Sequence, residues 1–359
     1  MRKDDQLFSE KPKLKVVLYG VGWIGGSIAK LLITKKGLRI VGAIDSAPSK
    51  VGRDLGTVIG AKKLLGVVVT NDVEKLFSEV KPDIVVHATS SFLKDVYSQI
   101  EEIVKHGANV VSTCEELSYP YVSNRDLAAK LDELAKKFGV TVLGTGINPG
   151  FVMDTLPIAL SSVCQEIRHI MVERVMDAGG RRAPFQKKIG VGLTVEEFKE
   201  KIRNKQITGH VGLEQSVAMI ADALGWNLQA IELGTVEPVV AENTVESKAV
   251  KVKRGNVAGL RQSARGIKDS KPVITLLFEA YVGAEEEYDS ITIEGVPNIH
   301  EKISPCVHGD VATAAIIVNS IPKVVNAEPG LKTMKDLTLP SAVLEDIRLY
   351  VDSFSSRTP

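Results

Sequence analysis

An apolar run, Lys15-Val16-Val17-Leu18-Tyr19, passes directly into Gly20-Val21-Gly22-Trp23-Ile24-Gly25, and Asp45 follows twenty residues after the last glycine. The first glycine permits a tight turn and the second lets backbone approach a pyrophosphate. The third lets a helix pack closely on its strand, so that the helix N-terminus aims its N–H groups at phosphate. Ser27-Ile28-Ala29-Lys30-Leu31-Leu32 continues as that helix, and residues 38–45 read as a second strand, tipped by a carboxylate suited to the two ribose hydroxyls. The pattern predicts a dinucleotide held by Gly20, Gly22, Trp23, Ile24 and Gly25, with Asp45 and Ser46 at the ribose; a ligand-free βα turn is the alternative. Asp45 biases the cofactor toward NAD, while Ser46, Lys50 and Arg53 leave room for NADP.

At 359 residues the chain exceeds one small core, and two domains are expected. Lys and Arg number 45 against 44 Asp and Glu, a net charge of +1 without a long run of either sign. Neither nucleic acid nor an anionic membrane surface is therefore an expected partner; a small molecule is. The three cysteines, Cys114, Cys164 and Cys306, lack CxxC spacing, which argues against a disulfide framework and a structural zinc, and no metal is expected. Free thiols suit the cytoplasm. Residues 1–13 are polar and of mixed charge and are expected to form a flexible tail, and no later run reaches the roughly 18 apolar residues of a membrane span.

From residue 15 to residue 150 apolar runs alternate with helical ones, as a parallel α/β sheet requires. Strands are expected at 15–19, 39–44, 83–88, 109–112 and 141–144, and helices at 73–80, 96–107 and 124–139, the last two closing on a glycine suited to a left-handed C-cap. Residues 14–150 are thus expected to be an NAD(P)-binding Rossmann domain, a doubly wound parallel sheet. Longer β-like runs follow at 167–175, 230–240, 245–252, 273–282 and 290–293, with one helix opened by the capping box Thr194-Val195-Glu196-Glu197 and another over 213–224. Residues 151–307 are expected to be an α+β domain, with a mixed or antiparallel sheet, for substrate and dimerisation. Residues 308–359 are expected to be a helical segment returning to the Rossmann domain. Segments 268–272 and 298–305 read as loops.

His87-Ala88-Thr89-Ser90-Ser91 ends the strand beginning at Asp83, at the carboxyl edge where such sheets bind ligands. Thr89 and Ser90 either line the nicotinamide ribose or cap the next helix, and His87 reads as a core histidine. After the next strand comes Ser112-Thr113-Cys114-Glu115-Glu116-Leu117-Ser118-Tyr119-Pro120. Adjacent strand residues face opposite ways, so one of Glu115 and Glu116 is expected at the reactive ring; helix N-terminal charge is the alternative. The glycine-rich turn before Gly150 is expected to place Asn148 and Pro149 against the nicotinamide, or to act as a hinge. His210, flanked by Gly209 and Gly212, and Arg181 and Arg182 are candidate contacts for a polar substrate; Arg261 and Arg265 are further candidate carboxylate clamps.

The order GVGWIG (20–25), VGRDLG (51–56), HATSS (87–91), TCEELSYP (113–120), GTGINPGFVMDTLP (144–157), GHVGLEQS (209–216) and HGDVATAAIIVNSIP (308–322) resembles the 2,4-diaminopentanoate dehydrogenases and the related native amine dehydrogenases. This group is similar to the dihydrodipicolinate reductase superfamily, and the resemblance runs from about residue 14 to residue 340. It implies NAD(P)-dependent oxidative deamination. The C4 amine of 2,4-diaminopentanoate would become a ketone, giving 2-amino-4-oxopentanoate and ammonia in ornithine degradation, with reductive amination in reverse. It also implies that a glutamate of the Glu115-Glu116 pair activates the amine. Glu115 is favoured, because related homoserine dehydrogenases place a catalytic lysine at about that offset.

Departures from neighbouring families agree. Dihydrodipicolinate reductases carry a His-His pair and a Lys-bearing Asp-Ala-Pro-Ser-Gly-Thr stretch, which this chain lacks, and Glu-Lys-Pro sugar oxidoreductases put a lysine where this chain has a glutamate. A carboxylate attracts an ammonium by about 4 kcal/mol for unit charges about 4 Å apart in a protein cleft. A reductase of another small imine or carbonyl, or a non-catalytic NAD(P) sensor, is the alternative.

Overall fold

The computed structural model describes residues 12–247 and 250–352; of the expected tail, residues 1–11 lie outside them. The chain divides into two units, one running to Ile147 and resuming at Gly309, the other Asn148–His308. Asn148, Pro149 and Gly150, taken above with the first domain, thus belong to the second.

In the first unit the expected strands are β1 (Leu14–Tyr19), β2 (Leu38–Ile44), β4 (Ile84–His87), β5 (Asn109–Ser112) and β6 (Thr141–Gly144), and a two-residue strand, β3 (Val69–Thr70), joins them. Every pairing is parallel, in the order β6-β5-β4-β1-β2-β3, and a further strand, Gly330–Lys332, adds to the free edge of β6. β4, β5 and β6 are buried at every residue, which their near-continuous apolar sequences allow in a sheet covered on both faces. One cover is the helix Leu93–Lys105, whose buried Leu93, Val96, Ile100, Ile103 and Val104 recur at helical spacing. The helix Gly309–Asn326 packs on the helix Trp23–Leu32 and on β4, β5 and β6. The chain leaves β1 toward β2 and β3 but leaves β4 toward β5 and β6, so the carboxyl ends of β1 and β4 form the switch point at which doubly wound sheets bind ligands.

The second unit contains β7 (Glu166–Asp177), β8 (Ala230–Leu233), β9 (Glu237–Val240), β10 (Val245–Glu246), β11 (Lys251–Val252), β12 (Val257–Lys268), β13 (Lys271–Tyr281), β14 (Tyr288–Val296) and β15 (Ile299–Ile303). Its main sheet is ordered β15-β14-β7-β13-β12-β8, with β9 also on β12. Only β7 and β13 of this sheet run parallel, so the sheet is mixed. Three expectations are corrected. The run 230–240 is two strands, both paired to β12; the described part of the run 245–252 is the short antiparallel pair β10–β11, with 248–249 outside the described residues; and 298–305 contains β15 rather than a loop. The strand β12 was not anticipated. Between β12 and β13 only Asp269 and Ser270 turn the chain, at φ of 51° and 60°, the left-handed conformation a two-residue hairpin needs. The Thr194 capping box is present, with Glu197 N–H donating to Thr194 Oγ1 and Thr194 N–H to Glu197 Oε2.

Candidate active site

Gly20 follows β1 at φ +94°, and a Cβ there would stand 2.3 Å from the Ala88 carbonyl oxygen, so only glycine lets the turn after β1 touch the end of β4. A Cβ on Gly25 would lie 1.9 Å from the Gly20 oxygen, which is why the third glycine is needed for the helix to sit on the strand. Gly22 differs: nothing lies within 4 Å of a Cβ built on it. It is the N-cap of the helix Trp23–Leu32 and supplies no side-chain cap, so the first N–H groups of that helix are offered to an outside acceptor such as a pyrophosphate. A cavity of about 300 Å³ lies here, lined by Tyr19, Gly20, Gly22, Ile44, Asp45, Ser46, Asn71, Val73, Ala88, Thr89 and Gln99.

Of the expected cofactor contacts, the cavity gathers Gly20, Gly22, Asp45, Ser46 and Thr89, but Trp23, Ile24, Gly25 and Ser90 are not in its lining, nor are Asn148 and Pro149 of the second unit. Trp23 is 59% exposed and its Nε1 donates to Asp310 Oδ2 at 2.9 Å. Ser90 Oγ donates to the Asp95 carboxylate in the first turn of the helix Leu93–Lys105, whose N-cap residue is Phe92 with no side-chain cap hydrogen bond, so Ser90 does not fill the capping role. Asp45 accepts from the Val21 and Ala47 N–H groups and from Lys50 Nζ. Burial pushes its carboxyl up, but Lys50 and the two N–H groups outweigh burial and hold it below the usual carboxylate value.

His87 ends β4 fully buried. Its Nδ1 is 2.8 Å from Ser112 Oγ and its Nε2 2.8 Å from Gln99 Oε1, which also accepts from Thr89 Oγ1 at 2.8 Å. An amide oxygen only accepts, so Nε2 carries the proton and Nδ1 accepts from the Ser112 hydroxyl. Burial lowers the pKa of this imidazole to about 4, keeping it neutral. His87 thus orients Gln99 and Thr89, two residues of the cavity wall.

Glu115 and Glu116 do not lie on a strand; they open the 3-10 turn Glu115–Ser118 immediately after β5, so the opposite-faces argument does not apply to them. Glu116 Oε2 accepts from the Leu93 N–H at 2.8 Å and from Asn124 Nδ2 at 2.9 Å, at the N-terminus of the helix Leu93–Lys105. The Glu116 N–H donates to the Ser91 carbonyl (3.1 Å), and Cys114 Sγ donates to the same oxygen (3.3 Å). The Thr89-Ser90-Ser91 loop and the glutamate turn are therefore stitched together by Glu116 and Cys114, and the turn rests on Gly144, where a Cβ would lie 2.4 Å from the Leu117 carbonyl carbon.

In the second unit, Asp154 is fully buried and accepts from the Gly150 N–H, the Thr155 N–H and Ser216 Oγ, which joins the Asn148-Pro149-Gly150 turn to the helix Leu213–Ala223. Gly212, at φ +114°, packs against Pro149 so closely that a Cβ would lie 2.4 Å from its Cδ. The loop Gly209–Gly212 and the Asn148 turn thus form one body. From it project two side chains with buried polar atoms lacking a hydrogen-bond partner: both Oδ1 and Nδ2 of Asn148, and Nε2 of His210. The His210 ring stacks on Phe278 at 4.4 Å and 13°, and burial, then the charges of Arg174 and Lys188, lower its pKa to about 3.

Arg174 is the residue the sequence did not single out. It is fully buried on β7, with Nη1 donating to Asp289 Oδ1 at 2.6 Å and Nη2 to the Val307 carbonyl. Arg181 is half-buried and Arg182 exposed at the start of the helix Ala183–Lys188. Arg261 forms an ion pair with Glu279. Glu74, Glu102 and His106 bring possible ligand atoms within 4.8 Å of one another, but Glu74 and His106 are exposed, an arrangement that surface helices commonly carry without an ion.

A family model described as the 2,4-diaminopentanoate dehydrogenase C-terminal domain matches residues 151–353, and one described as the dihydrodipicolinate reductase N-terminus matches residues 14–143. Over 345 residues the chain is 37% identical to the 2,4-diaminopentanoate dehydrogenase of Acetoanaerobium sticklandii, covering 94% of this chain and 96% of that protein. It is 24% identical over 356 residues to an amine dehydrogenase of Streptomyces virginiae, covering 92% and 98%. The solved amine dehydrogenase from Mycobacterium smegmatis superposes with a TM-score of 0.81 at 29% identity, over 92% of this chain and 98% of that one.

Proposed function

Because the chain belongs to the 2,4-diaminopentanoate dehydrogenase family and is therefore an oxidoreductase, we propose that it oxidatively deaminates 2,4-diaminopentanoate at C4. The products are 2-amino-4-oxopentanoate and ammonia, a step suited to ornithine degradation, and reductive amination is the reverse. The division of labour between the two glutamates carries this reading. Glu116 accepts from the Leu93 N–H and Asn124 and so braces the turn, while Glu115, at the head of the same turn just past the carboxyl end of β5, is the carboxylate that the family resemblance assigns to a cationic amine.

The cradle of Gly20, Gly22 and the uncapped helix start fits the pyrophosphate of a nicotinamide dinucleotide, and Asp45 fits its ribose, with a bias to NAD. When bound, that group supplies a hydride acceptor. Glu115 binds the C4 ammonium and takes one of its protons, so that the nitrogen lone pair drives departure of the C4 hydride and leaves an iminium on the substrate. That proton passes to solvent; the regenerated carboxylate then takes a proton from the water that adds to C4 and gives it to the nitrogen, and the C4 hydroxyl loses its proton as ammonia leaves and the ketone forms. Within the second unit, His210, Arg181, Arg182 and the Asn148 turn are the candidate contacts for the amino-acid end of a substrate, and both amide atoms of Asn148 and Nε2 of His210 are buried there without a partner.

Removing a positioned acid–base group costs about 100-fold or more, so Glu115→Gln is expected to lose deamination to that extent while NADH binding stays unchanged. Full activity in Glu115→Gln together with loss in Glu116→Gln would move the role one residue along. Turnover of hydroxy acids and of no amine would favour the carbonyl reductase, and NADH binding without turnover of any substrate would favour the sensor.

A homodimer is part of the same proposal. On β7 and β13 one face is buried through Ile170, Val172, Ile274 and Leu276, while Met171, Val273 and Leu277 on the other face are only half-buried. That face suits a second copy. A cytoplasmic setting suits three free cysteines, two of them, Cys114 and Cys306, pushed up to about 12 by burial. Among the described residues no helix is long and apolar enough to cross a membrane.

A further inference from the structure

The bonding of Asp45 says how the cofactor's ribose is read, given the dinucleotide reading above on which this inference rests. In doubly wound folds a carboxylate at this position accepts from both hydroxyls of the adenosine ribose. An ionised carboxylate offers about four lone-pair positions. In this chain Oδ2 accepts from the Val21 N–H at 2.9 Å and from Lys50 Nζ at 2.8 Å, and Oδ1 accepts from the Ala47 N–H at 2.9 Å. The Val21 bond ties the carboxylate to the glycine turn, and the Ala47 bond closes a local turn. Only the Lys50 bond comes from a side chain that is able to move away, and Lys50 is the more open partner, 26% exposed against 11% for Asp45.

With Lys50 docked, Asp45 keeps a single acceptor position, and its charge is cancelled at contact distance. A 2′-phosphate then meets no net repulsion and has an ammonium to bind. With Lys50 withdrawn, two positions serve two hydroxyls and the full negative charge repels a phosphate. The cavity wall at this point is formed by Asp45 and Ser46; Lys50 is not in the lining and reaches this wall through its bond to Asp45 Oδ2. Arg53, whose Nη1 donates to the Ser49 carbonyl at 3.1 Å, is exposed and holds no contact with Asp45 among the hydrogen bonds and ion pairs described above.

We propose that Lys50 is the residue that sets cofactor selectivity: docked on Asp45, it admits the 2′-phosphate of NADP(H) and costs NAD(H) one ribose hydrogen bond, so that the chain takes both. The test is equilibrium binding of NADH and of NADPH to the intact chain without substrate, by calorimetry. The wild type is expected to bind both. Lys50→Ala is expected to bind NADPH about tenfold or more weakly and NADH within about threefold of wild type, the loss of one charge-assisted contact, whereas Lys50→Arg keeps NADPH. Asp45→Asn, which keeps an acceptor but not the charge, is expected to favour NADPH further.

An NADPH-to-NADH ratio unchanged to within about twofold in Lys50→Ala, with a normal melting temperature, would overturn the proposal. So would loss of NADPH in Arg53→Ala instead. A wild type that binds NADH alone overturns only the role of Lys50; one that binds neither overturns the dinucleotide reading with it.

Discussion

Burial holds the His87 imidazole neutral down to about pH 4, whereas in the unfolded chain it protonates near 6.5. Between those values the unfolded state binds the extra proton, so the stability due to this group is fully present above about pH 6.5 and is lost as the pH falls toward 4. The size is up to about 3 kcal/mol for a side chain so buried. His87→Gln is therefore expected to lie furthest below wild type near pH 7 and to converge on it near pH 4.5, as read from urea unfolding midpoints at each pH. Gly20→Ala puts a Cβ against the Ala88 oxygen at a left-handed φ. It is expected to cost more than about 1 kcal/mol and to abolish NADH binding, checked by thermal melting and calorimetry. Glu116 shows how little of such detail sequence adjacency reveals. Its partner Leu93 is 23 residues away, a contact that only the folded chain brings about.

The 3-10 turn Glu115–Ser118 owes its position to its neighbours on either side: the start of the helix Leu93–Lys105 and the last residue of β6. Gly144→Ala would push Leu117 away, moving Glu115 with it. It is expected to lower kcat for deamination about tenfold or more while leaving NADH affinity near wild type, since the glycine cradle is untouched. Glu116→Ala leaves the Leu93 N–H without its acceptor and the Asn124 amide with Ser123 Oγ alone, and is expected to cost about 1–2 kcal/mol in unfolding free energy. The elements of the first unit were legible because β1, β4, β5 and β6 are continuous apolar runs followed by turn residues. β12 was not, because the residues it buries at alternate positions, Gln262, Ala264 and Gly266, carry no apolar signal. Gly266 is small for a reason no sequence reveals: a Cβ would come within 3.0 Å of Val217. β15 hides for a related reason, since its alternation is Ile299, Glu301, Ile303 over only five residues. The pair Arg174–Asp289 joins strands 115 residues apart, and a pairing that distant leaves no local trace.

At the scale of the molecule, the first unit is assembled from two separated stretches of chain, since the helix Gly309–Asn326 and the strand Gly330–Lys332 complete a sheet begun at Leu14. A chain ended at His308 would leave the edge of β6 unpaired and uncover the apolar face of the helix Trp23–Leu32. It is expected to lose NADH binding and to aggregate, measured by calorimetry and light scattering. Leu277→Lys, on the open face of β13, is expected to turn a dimer into a monomer in sedimentation velocity with both units still folded. The same discontinuity sets an order of events during synthesis. The whole of the second unit is translated before the last strand of the first, so the sheet that carries the glycine cradle, though begun near the start of the message, waits for residues 309–332 to be completed. A chain cut short before Gly309 therefore carries the glycine turn of the cradle without the helix and strand that cover and edge its sheet.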